Sequence, residues 1–359
     1  MRIAVLGVGL IGGSVGLAAR ERLEGAELVG YDSDREVLRS ALSLGALDRA
    51  AGSVAGALAG AEVCFVCAPV GVLPALVGEA LGAAGEDTVV TDVGSTKRLI
   101  ASAARDPRFV GGHPLAGAES AGVENARADL FDGAAWYLTP SAVSGGMLYE
   151  RLHGVIVALG ANPMAIDADT HDRLLACVSH LPHVIANVLV SQAARALSEE
   201  GEAMPRVGPS FRGATRVAGA NPGIWTDIYL SNAESIADQV DEAARRLGEV
   251  AKALRAGDSA AIESWNARAL GDRRRLLEAE LAPGAPVHEL RVPVPNRPGI
   301  VAQVALALGK AGINIVDMAL APAPDMRSGQ ITLWVAGDEA ADRAESLIGA
   351  LGFPTTRGE

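Results

Sequence analysis

Short apolar runs alternate with alanine-rich stretches of helical periodicity along the first half of the chain. Buried parallel strands are apolar throughout and are joined by helices, so this alternation predicts β-α-β units. We therefore expect residues 1–167 to form an α/β domain whose parallel sheet is covered on both faces by helices. The predicted strands are Arg2–Leu6, Glu27–Tyr31, Glu62–Cys67, Thr88–Asp92, Phe109–Gly112, Ala135–Thr139 and Asn162–Ile166.

The pattern changes at residue 168, and helical periodicity then continues to residue 282 without a convincing strand. Gly257 predicts the end of one helix, and Asp258 predicts the N-cap of the next. An all-helical domain of this size often buries apolar surface against a second subunit, so we expect a homodimer. The predicted helices are Thr170–Ser198 (broken near Pro182), Trp225–Arg255 and Ser259–Leu281.

A third region begins after Ala282-Pro-Gly-Ala-Pro286, because two prolines and a glycine within five residues indicate a domain boundary. Residues 287–359 then have the order β-α-β-β-α, with room for a last short strand, which is typical of a small ferredoxin-like α+β module. The predicted elements are the strands His288–Val294, Ile313–Ala319 and Ser328–Ala336 and the helices Ile300–Ala311 and Ala340–Leu351.

The composition narrows the class of protein. Hydrophobic residues make up 49% of the chain and charged residues 21%, which is typical of a soluble globular protein. A net charge of −12 and an aromatic content of 4% argue against binding to nucleic acid or to an anionic membrane. The sequence has no evident signal peptide or uninterrupted apolar run of transmembrane length, so we expect a cytoplasmic protein without a membrane segment.

Two of the three cysteines, Cys64 and Cys67, have the C-x-x-C spacing of redox and metal motifs. Both lie in a predicted buried strand, where residues three apart point to opposite faces and their thiols do not converge. We therefore interpret them as small buried apolar residues. The chain shows no disulfide framework, which agrees with a reducing cytoplasm.

A glycine-rich turn, Gly7-Val-Gly-Leu-Ile-Gly12, follows the first predicted strand and enters a helix. Gly7 permits the tight turn, Gly9 lets a pyrophosphate approach the backbone, and Gly12 lets helix and strand pack closely. Asp32 ends the second strand, where a carboxylate binds the adenosine ribose and repels a 2′-phosphate. The motif predicts a Rossmann domain that binds NAD rather than NADP, through Gly7, Gly9, Leu10, Ile11, Gly12 and Asp32. FAD is the alternative, but the helical second domain and the histidine motifs described below suit hydride transfer to NAD better.

Polar residues follow two further strands at their carboxyl ends, where open α/β sheets bind ligands. Ser95 lies in Thr91–Lys97, and His113 and Glu119 lie in Gly111–Ser120. A histidine between glycine and proline on a predicted loop has little role in packing, and its imidazole can exchange a proton near neutral pH. We therefore take Ser95 and His113 as candidate catalytic residues.

Further candidates lie in the predicted helical domain. His180 and His183 share one face of a helix. With His113 they would make a three-histidine zinc site, but no carboxylate or cysteine at ligand spacing supports a metal, and we expect none. A guanidinium matches the geometry of a carboxylate, so a later connection carries three candidates for binding an anionic substrate: Arg212, Arg216 and Trp225.

Five motifs in this order resemble those of the prephenate/arogenate dehydrogenase family, over about residues 1–282. They are Gly7-x-Gly-Leu-Ile-Gly-Gly-Ser14, Asp92-Val-Gly-Ser-Thr-Lys97, His113-Pro-Leu-Ala-Gly-x-Glu119, Ser179-His-Leu-Pro-His183, and Thr215-Arg216 with Trp225-x-Asp227. The resemblance implies a Rossmann domain, a helical dimerisation domain and the NAD-dependent oxidation of prephenate in tyrosine biosynthesis. The ring loses a hydride and carbon dioxide and aromatises to 4-hydroxyphenylpyruvate.

The resemblance also implies roles for the candidate residues. His113 takes the proton of the ring hydroxyl, and Ser95 hydrogen-bonds the same hydroxyl or the nicotinamide side. Arg216 binds a substrate carboxylate, while His183 and His180 line the pocket. Glu119 bears on the choice between a pyruvyl and an alanyl side chain; beside it, Ala118 replaces a hydroxyl residue found in some relatives. Arg212 and Trp225 complete the expected substrate-binding set.

Residues 287–359 resemble an ACT domain, in which the loop after the first strand admits an amino acid. Pro295-Asn-Arg-Pro-Gly299 forms that loop here, and Ala311-Gly-Ile-Asn-Ile315 enters the second strand. The resemblance implies feedback control by an amino acid, with tyrosine as the expected effector, at Asn296, Gly299 and Asn314. A module used only for dimerisation is the alternative.

Three other functions compete with this interpretation. The same chemistry on arogenate would yield tyrosine directly. A β-hydroxyacid dehydrogenase would require a catalytic lysine in the helical domain, and Thr170–Ser198 contains none. A non-catalytic regulator that senses NAD(H) would explain the glycine turn and the last module, but not His113, Ser95 and Arg216 together.

Overall fold

The structure is a computed structural model, and it describes residues 1–117, 121–199, 207–278, 286–323 and 327–358. The chain divides into two compact units. The first comprises residues 1–172, 222–231 and 286–359, and the second comprises residues 173–221 and 232–285. The C-terminal residues thus belong to the same unit as the N-terminal region.

A five-stranded parallel sheet with the order β3-β2-β1-β4-β5 lies at the centre of the first unit. Its middle strands are fully buried because helices cover both faces, as the continuous apolar runs predict. The strands are β1 (Arg2–Leu6), β2 (Glu27–Tyr31), β3 (Arg49–Ala50), β4 (Val63–Val66) and β5 (Val89–Asp92). The helices are α1 (Leu10–Arg22), α2 (Arg35–Ser43), α3 (Val54–Leu58), α4 (Leu73–Ala83) and α5 (Arg98–Ala103).

A second sheet departs from the single parallel sheet that the sequence predicts. In its order β6-β7-β8, β6 runs antiparallel to β7, and β7 runs parallel to β8. Parallel strands need a crossover, usually helical, whereas only a 3-10 turn (Val123–Asn125) is described between β6 and β7, so antiparallel pairing is available. The elements are β6 (Gly111–Pro114), β7 (Ala135–Thr139), α6 (Gly146–Ala158) and β8 (Asn162–Ala165).

The cysteines occupy the positions expected for buried apolar residues. Cys64 is fully buried on β4, and Cys67 follows the strand and is half-buried. Burial raises the pKa of both thiols, which keeps them protonated and unreactive.

A run of helices begins at the end of the first unit. Its residues 173–221 and 232–278 belong to the second unit, whereas residues 222–231 belong to the first. The predicted break near Pro182 takes the form of a π-helical turn, Ala176–His180. The turn lies just before the proline, whose missing N–H removes one regular helical bond. The helices are α7 (Ala168–Leu175), α8 (Leu181–Glu199), α9 (Pro209–Thr215), α10 (Pro222–Ser231), α11 (Ala233–Ala256) and α12 (Ser259–Glu278).

Two end signals in this region are confirmed. Gly257 ends α11 in the left-handed conformation, with φ of 63°, and the Asp258 carboxylate accepts a hydrogen bond from the Ala261 amide at 3.0 Å. The predicted helix Trp225–Arg255 is in fact two helices, since Asn232 separates α10 from α11.

One helical run, Ala168–Arg195, is long and apolar enough to cross a membrane by length and composition alone. Asp172, Arg173 and Pro182 interrupt this run, so it does not contradict the expectation that the sequence has no uninterrupted apolar run of transmembrane length. A single helix of this kind is weak evidence for a membrane segment, because helices that pack against protein can be equally long and apolar. Within the described residues, 28% of the most apolar 18-residue stretch of this run is buried.

The C-terminal module has the order β-α-β-β-α-β. Its four-stranded antiparallel sheet has the spatial order β10-β11-β9-β12. The order of elements agrees with the prediction, including the last short strand. The elements are β9 (Val287–Pro295), α13 (Ile300–Lys310), β10 (Ile315–Pro322), β11 (Ser328–Ala336), α14 (Asp338–Ala350) and β12 (Thr356–Arg357).

This module packs directly against the second sheet of the same unit. A Cβ atom at Gly309 of α13 would lie 1.6 Å from the Ala165 carbonyl oxygen of β8, so only glycine permits the approach. Val301 of α13 lies against Gly146 of α6 in the same way. One cluster of buried apolar side chains runs through both parts, so the C-terminal module shares a core with the two N-terminal sheets.

Candidate active site

The glycine turn holds the acidic residue at the end of β2 in place. Gly7 has φ of 86°, and a Cβ atom there would lie 2.2 Å from the carbonyl oxygen of Cys67, so glycine is required. The amide of Val8 donates to one oxygen of Asp32 at 2.8 Å, and the amide of Asp34 donates to the other at 2.9 Å. The Asp32 carboxylate is thereby fixed beside the turn.

The residues around the turn fit a dinucleotide. A Cβ atom at Gly9 would meet nothing within 4 Å, so the backbone there is open to a ligand. Helix α1 begins at Leu10 and has no side-chain cap, which leaves the first amides of the helix, including that of Ile11, to bind phosphate oxygens. A Cβ atom at Gly12 would lie 2.1 Å from the Gly7 carbonyl oxygen, which explains the close packing of helix and turn.

A buried ion pair fixes the strand that carries His113. Lys97 and Asp92 are 1% and 0% exposed, and their side chains are in direct contact. The Lys97 ammonium also donates to the carbonyl oxygen of Gly112 at 2.6 Å, and the Gly112 amide donates to Asp92 at 3.1 Å. Burial lowers the pKa of Lys97, against the opposing effect of Asp92. Both backbone groups of Gly112 are thus held by one charge pair.

Three buried side chains form a hydrogen-bonded row. The Nδ1 atom of His113 lies 2.9 Å from the Nε2 atom of His171, and the Nδ1 atom of His171 lies 2.8 Å from a carboxylate oxygen of Asp172. Asp172 also accepts the amides of Lys97 at 2.7 Å and of Arg98 at 2.9 Å. Because His113 lies within β6, opposite Tyr137 of β7, it is a strand residue and not a loop residue as predicted.

The environment sets the charge state of this row. Burial lowers the pKa of His171 in spite of its bond to Asp172, so the imidazole is neutral near pH 7. Burial opposes ionisation of Asp172, but the hydrogen bonds from His171 and the two amides outweigh it and lower the pKa of the carboxyl group. The ionised carboxylate of Asp172 therefore accepts a hydrogen bond from the neutral imidazole of His171.

Ser95 lies next to this network, in the turn between β5 and α5, and is half-buried. Its neighbour Thr96 donates to the Ser231 hydroxyl at the end of α10, at 3.0 Å. Trp225 lies on the same helix, where it is partly buried against the apolar core beneath the five-stranded sheet, with its ring 5.5 Å from that of Tyr229. Trp225 and Ser95 therefore belong to the same compact unit.

The other predicted substrate-binding residues lie in the helical unit. His180 is 1% exposed, and its Nδ1 atom lies 3.3 Å from the Asn232 side chain. His183 is 4% exposed, and burial lowers its pKa against a hydrogen bond with the backbone of Val217. This contact places His183 beside the 3-10 turn Arg216–Gly219. The side chains of Arg216 and Arg212 are both exposed to solvent.

His171 and Asp172 are the functional candidates that the sequence analysis missed. They lie just after β8, at the start of α7, so the rule that found Ser95 and His113 at strand ends applies to them as well. Lys97 closed a family motif but was given no role, and the structure assigns it to the ion pair with Asp92. Glu119 and its neighbour Ala118 lie outside the described residues.

A parallel sheet with an open glycine turn, a fixed carboxylate at the end of β2 and a buried, partnered histidine define the class of protein as an NAD-dependent oxidoreductase. Two family models match the chain: the prephenate dehydrogenase nucleotide-binding domain over residues 15–163 and the prephenate dehydrogenase dimerization domain over residues 167–266. The chain belongs to the prephenate dehydrogenase family.

Individual relatives agree with this membership. A cyclohexadienyl dehydrogenase from Zymomonas mobilis is 30% identical over 71% of this chain and 89% of its own length. A prephenate dehydrogenase from Bacillus subtilis is 28% identical over 97% of this chain and 95% of its own length. The crystal structure of an Aquifex aeolicus prephenate dehydrogenase with hydroxyphenyl propionate and NAD⁺ is 27% identical, with a TM-score of 0.72 over 76% of this chain and 98% of that one.

Proposed function

We propose that the chain catalyses the NAD-dependent oxidative decarboxylation of prephenate to 4-hydroxyphenylpyruvate in tyrosine biosynthesis. The observation that carries the proposal is the buried row of His113, His171 and Asp172, in a chain that belongs to the prephenate dehydrogenase family. Oxidation of a ring alcohol requires a group that takes the hydroxyl proton, and a histidine held by a fixed partner can do so.

Each step of the proposed reaction can be assigned to particular residues of the chain. NAD would supply the hydride acceptor for the ring carbon, and the residues that would hold it are Gly7, Gly9, Leu10, Ile11, Gly12 and Asp32. His113 takes the proton of the ring hydroxyl, and Ser95 hydrogen-bonds the same oxygen or the nicotinamide side. The electrons of the breaking carbon–carboxylate bond then aromatise the ring, carbon dioxide leaves, and the phenolic oxygen regains the proton. Aromatisation drives this last step, so it needs no second base.

Substrate binding falls to a wider set of residues. We assign Arg216 to a substrate carboxylate, because a guanidinium binds that group through two parallel hydrogen bonds. His183 contacts the backbone beside Arg216, and this supports placing the two in one substrate-binding group. The remaining proposed substrate-binding residues are His180, Glu119, Arg212 and Trp225.

Steady-state formation of NADH with prephenate and, separately, with arogenate tests the proposal. We expect the higher kcat/KM with prephenate. A higher value with arogenate would reassign the substrate while keeping the chemistry. No NADH with either substrate, from a chain that still binds NAD, would leave the sensing alternative in place of the enzyme.

We also propose a cytoplasmic homodimer. The family model over residues 167–266 is a dimerization domain, and the helical unit exposes large apolar side chains that a second copy would cover: Leu247, Leu254, Leu270 and Leu276 are 61–71% exposed. Light scattering at micromolar concentration should give twice the mass of one chain. A monomer mass there would dismiss the proposal.

We further propose that the chain has three domains, residues 1–167, 168–282 and 287–359, and that the last is an ACT domain regulated by an amino acid such as tyrosine. Its order β-α-β-β-α-β supports this assignment. The predicted effector residues Asn296, Gly299 and Asn314 lie around its first loop and second strand. The Gly299 amide lies 3.4 Å from the Ser144 carbonyl oxygen, so this loop contacts the region between β7 and α6.

Equilibrium dialysis of labelled tyrosine against the whole chain tests the effector proposal. We expect saturable binding that Gly299→Val removes, because a side chain there would press on the backbone at Ala142 and displace the loop. Gly312→Val, at a glycine that also has a positive φ but no neighbour within 4 Å, is the matched control. No binding at millimolar tyrosine would leave dimerisation as the role of the module.

A further inference from the structure

We propose that His171, anchored by Asp172, is a positioning residue that fixes the tautomer of neutral His113, with the hydrogen on Nδ1 and the lone pair on Nε2, before the substrate binds. The inference rests on the proposed function, in which His113 takes the hydroxyl proton. It adds two residues to the reaction, neither of which is assigned a contact with the substrate.

The directions of two hydrogen bonds determine which nitrogen of His113 carries the hydrogen. An ionised carboxylate only accepts, so the Nδ1 atom of His171, 2.8 Å from Asp172, must carry a hydrogen. A neutral imidazole has only one N–H, so the Nε2 atom of His171 accepts. The Nδ1 atom of His113, 2.9 Å away, must therefore donate. A neutral His113 then carries its lone pair on Nε2, which is the form that accepts a proton.

The row is rigid as well as oriented. Asp172 is held at its outer side by the amides of Lys97 and Arg98. The ring of Tyr137 packs edge-on against His171, with ring centroids 5.6 Å apart. His171 and Asp172 are both fully buried, so water does not compete for their hydrogen bonds. The backbone at the start of α5 thus holds Asp172, Asp172 orients His171, and His171 sets the tautomer of His113.

An apolar residue at position 171 would remove the acceptor of the His113 Nδ1–H group. That buried N–H would then lack its partner, and the ring would favour the tautomer with its hydrogen on Nε2. This tautomer does not accept a proton at Nε2, so the loss falls on kcat and not on substrate affinity. Glutamine would preserve the row, since its carbonyl oxygen accepts and its amide group donates to Asp172.

Kinetics of three variants test the proposal. We expect His171→Leu to lower kcat about 10–100-fold with KM within about 2-fold, and His171→Gln to recover most of the loss. His153→Leu removes another buried imidazole of the same unit, outside this row, and should keep the wild-type kcat. Equal activity of the Leu and Gln variants, or an unchanged kcat in both, would overturn the proposal.

Nitrogen-15 NMR of the histidine rings separates this inference from the proposed function. Spectra of the substrate-free wild type, assigned with His113→Asn, should show that Nδ1 of His113 carries a hydrogen and that Nε2 does not. In His171→Leu the hydrogen should move to Nε2. The opposite tautomer in the wild type would overturn the proposal even if prephenate is oxidised, and the expected tautomer would uphold it even if prephenate is not the substrate.

Discussion

Two sets of charged and titratable side chains contrast sharply within this chain. In the nucleotide-binding unit, His113, His171 and Asp172 are at most 8% exposed and are joined in one row. In the helical unit, Arg212 and Arg216 are exposed to solvent. A proton acceptor must hold one charge state and one tautomer, which burial beside fixed partners secures. An arginine is always charged, so it needs no such environment to bind a carboxylate.

The contrast predicts that changes in the buried row act on the chemical step, whereas changes at the exposed arginines act on binding. It also predicts that the buried groups carry stability, because their partners are left without compensation when one member is removed. Each of the following substitutions tests one side of this division.

His113→Asn should have the largest effect. Asparagine keeps a polar side chain but has no basic nitrogen, so kcat should fall about 10²–10⁴-fold. Affinity for NAD, measured by fluorescence titration, should stay within about 2-fold, since His113 lies outside the glycine turn. A fall in kcat of less than tenfold would remove His113 from the role of proton acceptor.

Lys97→Met should destabilise the first unit by about 3–5 kcal/mol, because it leaves the Asp92 carboxylate buried without its cation. Urea denaturation measures the loss. The double variant Asp92→Asn/Lys97→Met removes both charges and should be more stable than the single variant. If the single variant loses less than about 1 kcal/mol, the ion pair does not hold β6 as proposed.

Much of the fold follows from local patterns in the sequence. The strands β1, β2, β7 and β11 have the predicted bounds, because each is a continuous or alternating apolar run with a clear turn at its end. The glycine turn and Asp32 also lie together as predicted, since one motif specifies both. These features depend on residues close in the sequence or on one recurring unit.

The buried row could not be predicted in the same way. His113 and His171 are 58 residues apart, and their contact depends on how β6, β7 and β8 pair. That pairing includes an antiparallel step, which the apolar runs alone do not reveal. The adjacent pair His171-Asp172 nevertheless follows the predicted strand Asn162–Ile166 closely, so its position after a strand end was a signal in the sequence.

His153 tests burial at a second place in the same unit. It lies on α6, which packs against β10, and burial lowers its pKa from 6.5 to about 4. The unfolded chain therefore binds a proton more readily, so this stabilising contribution is complete above pH 6.5 and is lost as the pH falls toward 4. Between pH 7 and pH 5 the loss should be about 2 kcal/mol.

Urea denaturation of the wild type and of His153→Leu at both pH values measures this loss. Leucine does not titrate, so the variant should lose about 2 kcal/mol less than the wild type over the same interval. Other groups contribute equally to both proteins, and the difference isolates the imidazole. Parallel pH dependence in the two proteins would show that the folded and unfolded chains protonate His153 alike.

Arg216→Ala should have the smallest effect and the opposite kinetic signature. Removing a charged hydrogen-bond partner of a carboxylate from an exposed side chain should raise the KM for prephenate about tenfold and leave kcat within about 2-fold. Arg255→Ala, at an exposed arginine near the end of α11 in the same unit, is the control for lost surface charge. An equal rise in KM in both variants would indicate general attraction of an anion and not a specific contact. A fall in kcat at Arg216 without a change in KM would contradict the contrast between buried residues that act on chemistry and exposed arginines that act on binding. An exposed arginine of the helical unit would then act in the transition state alone.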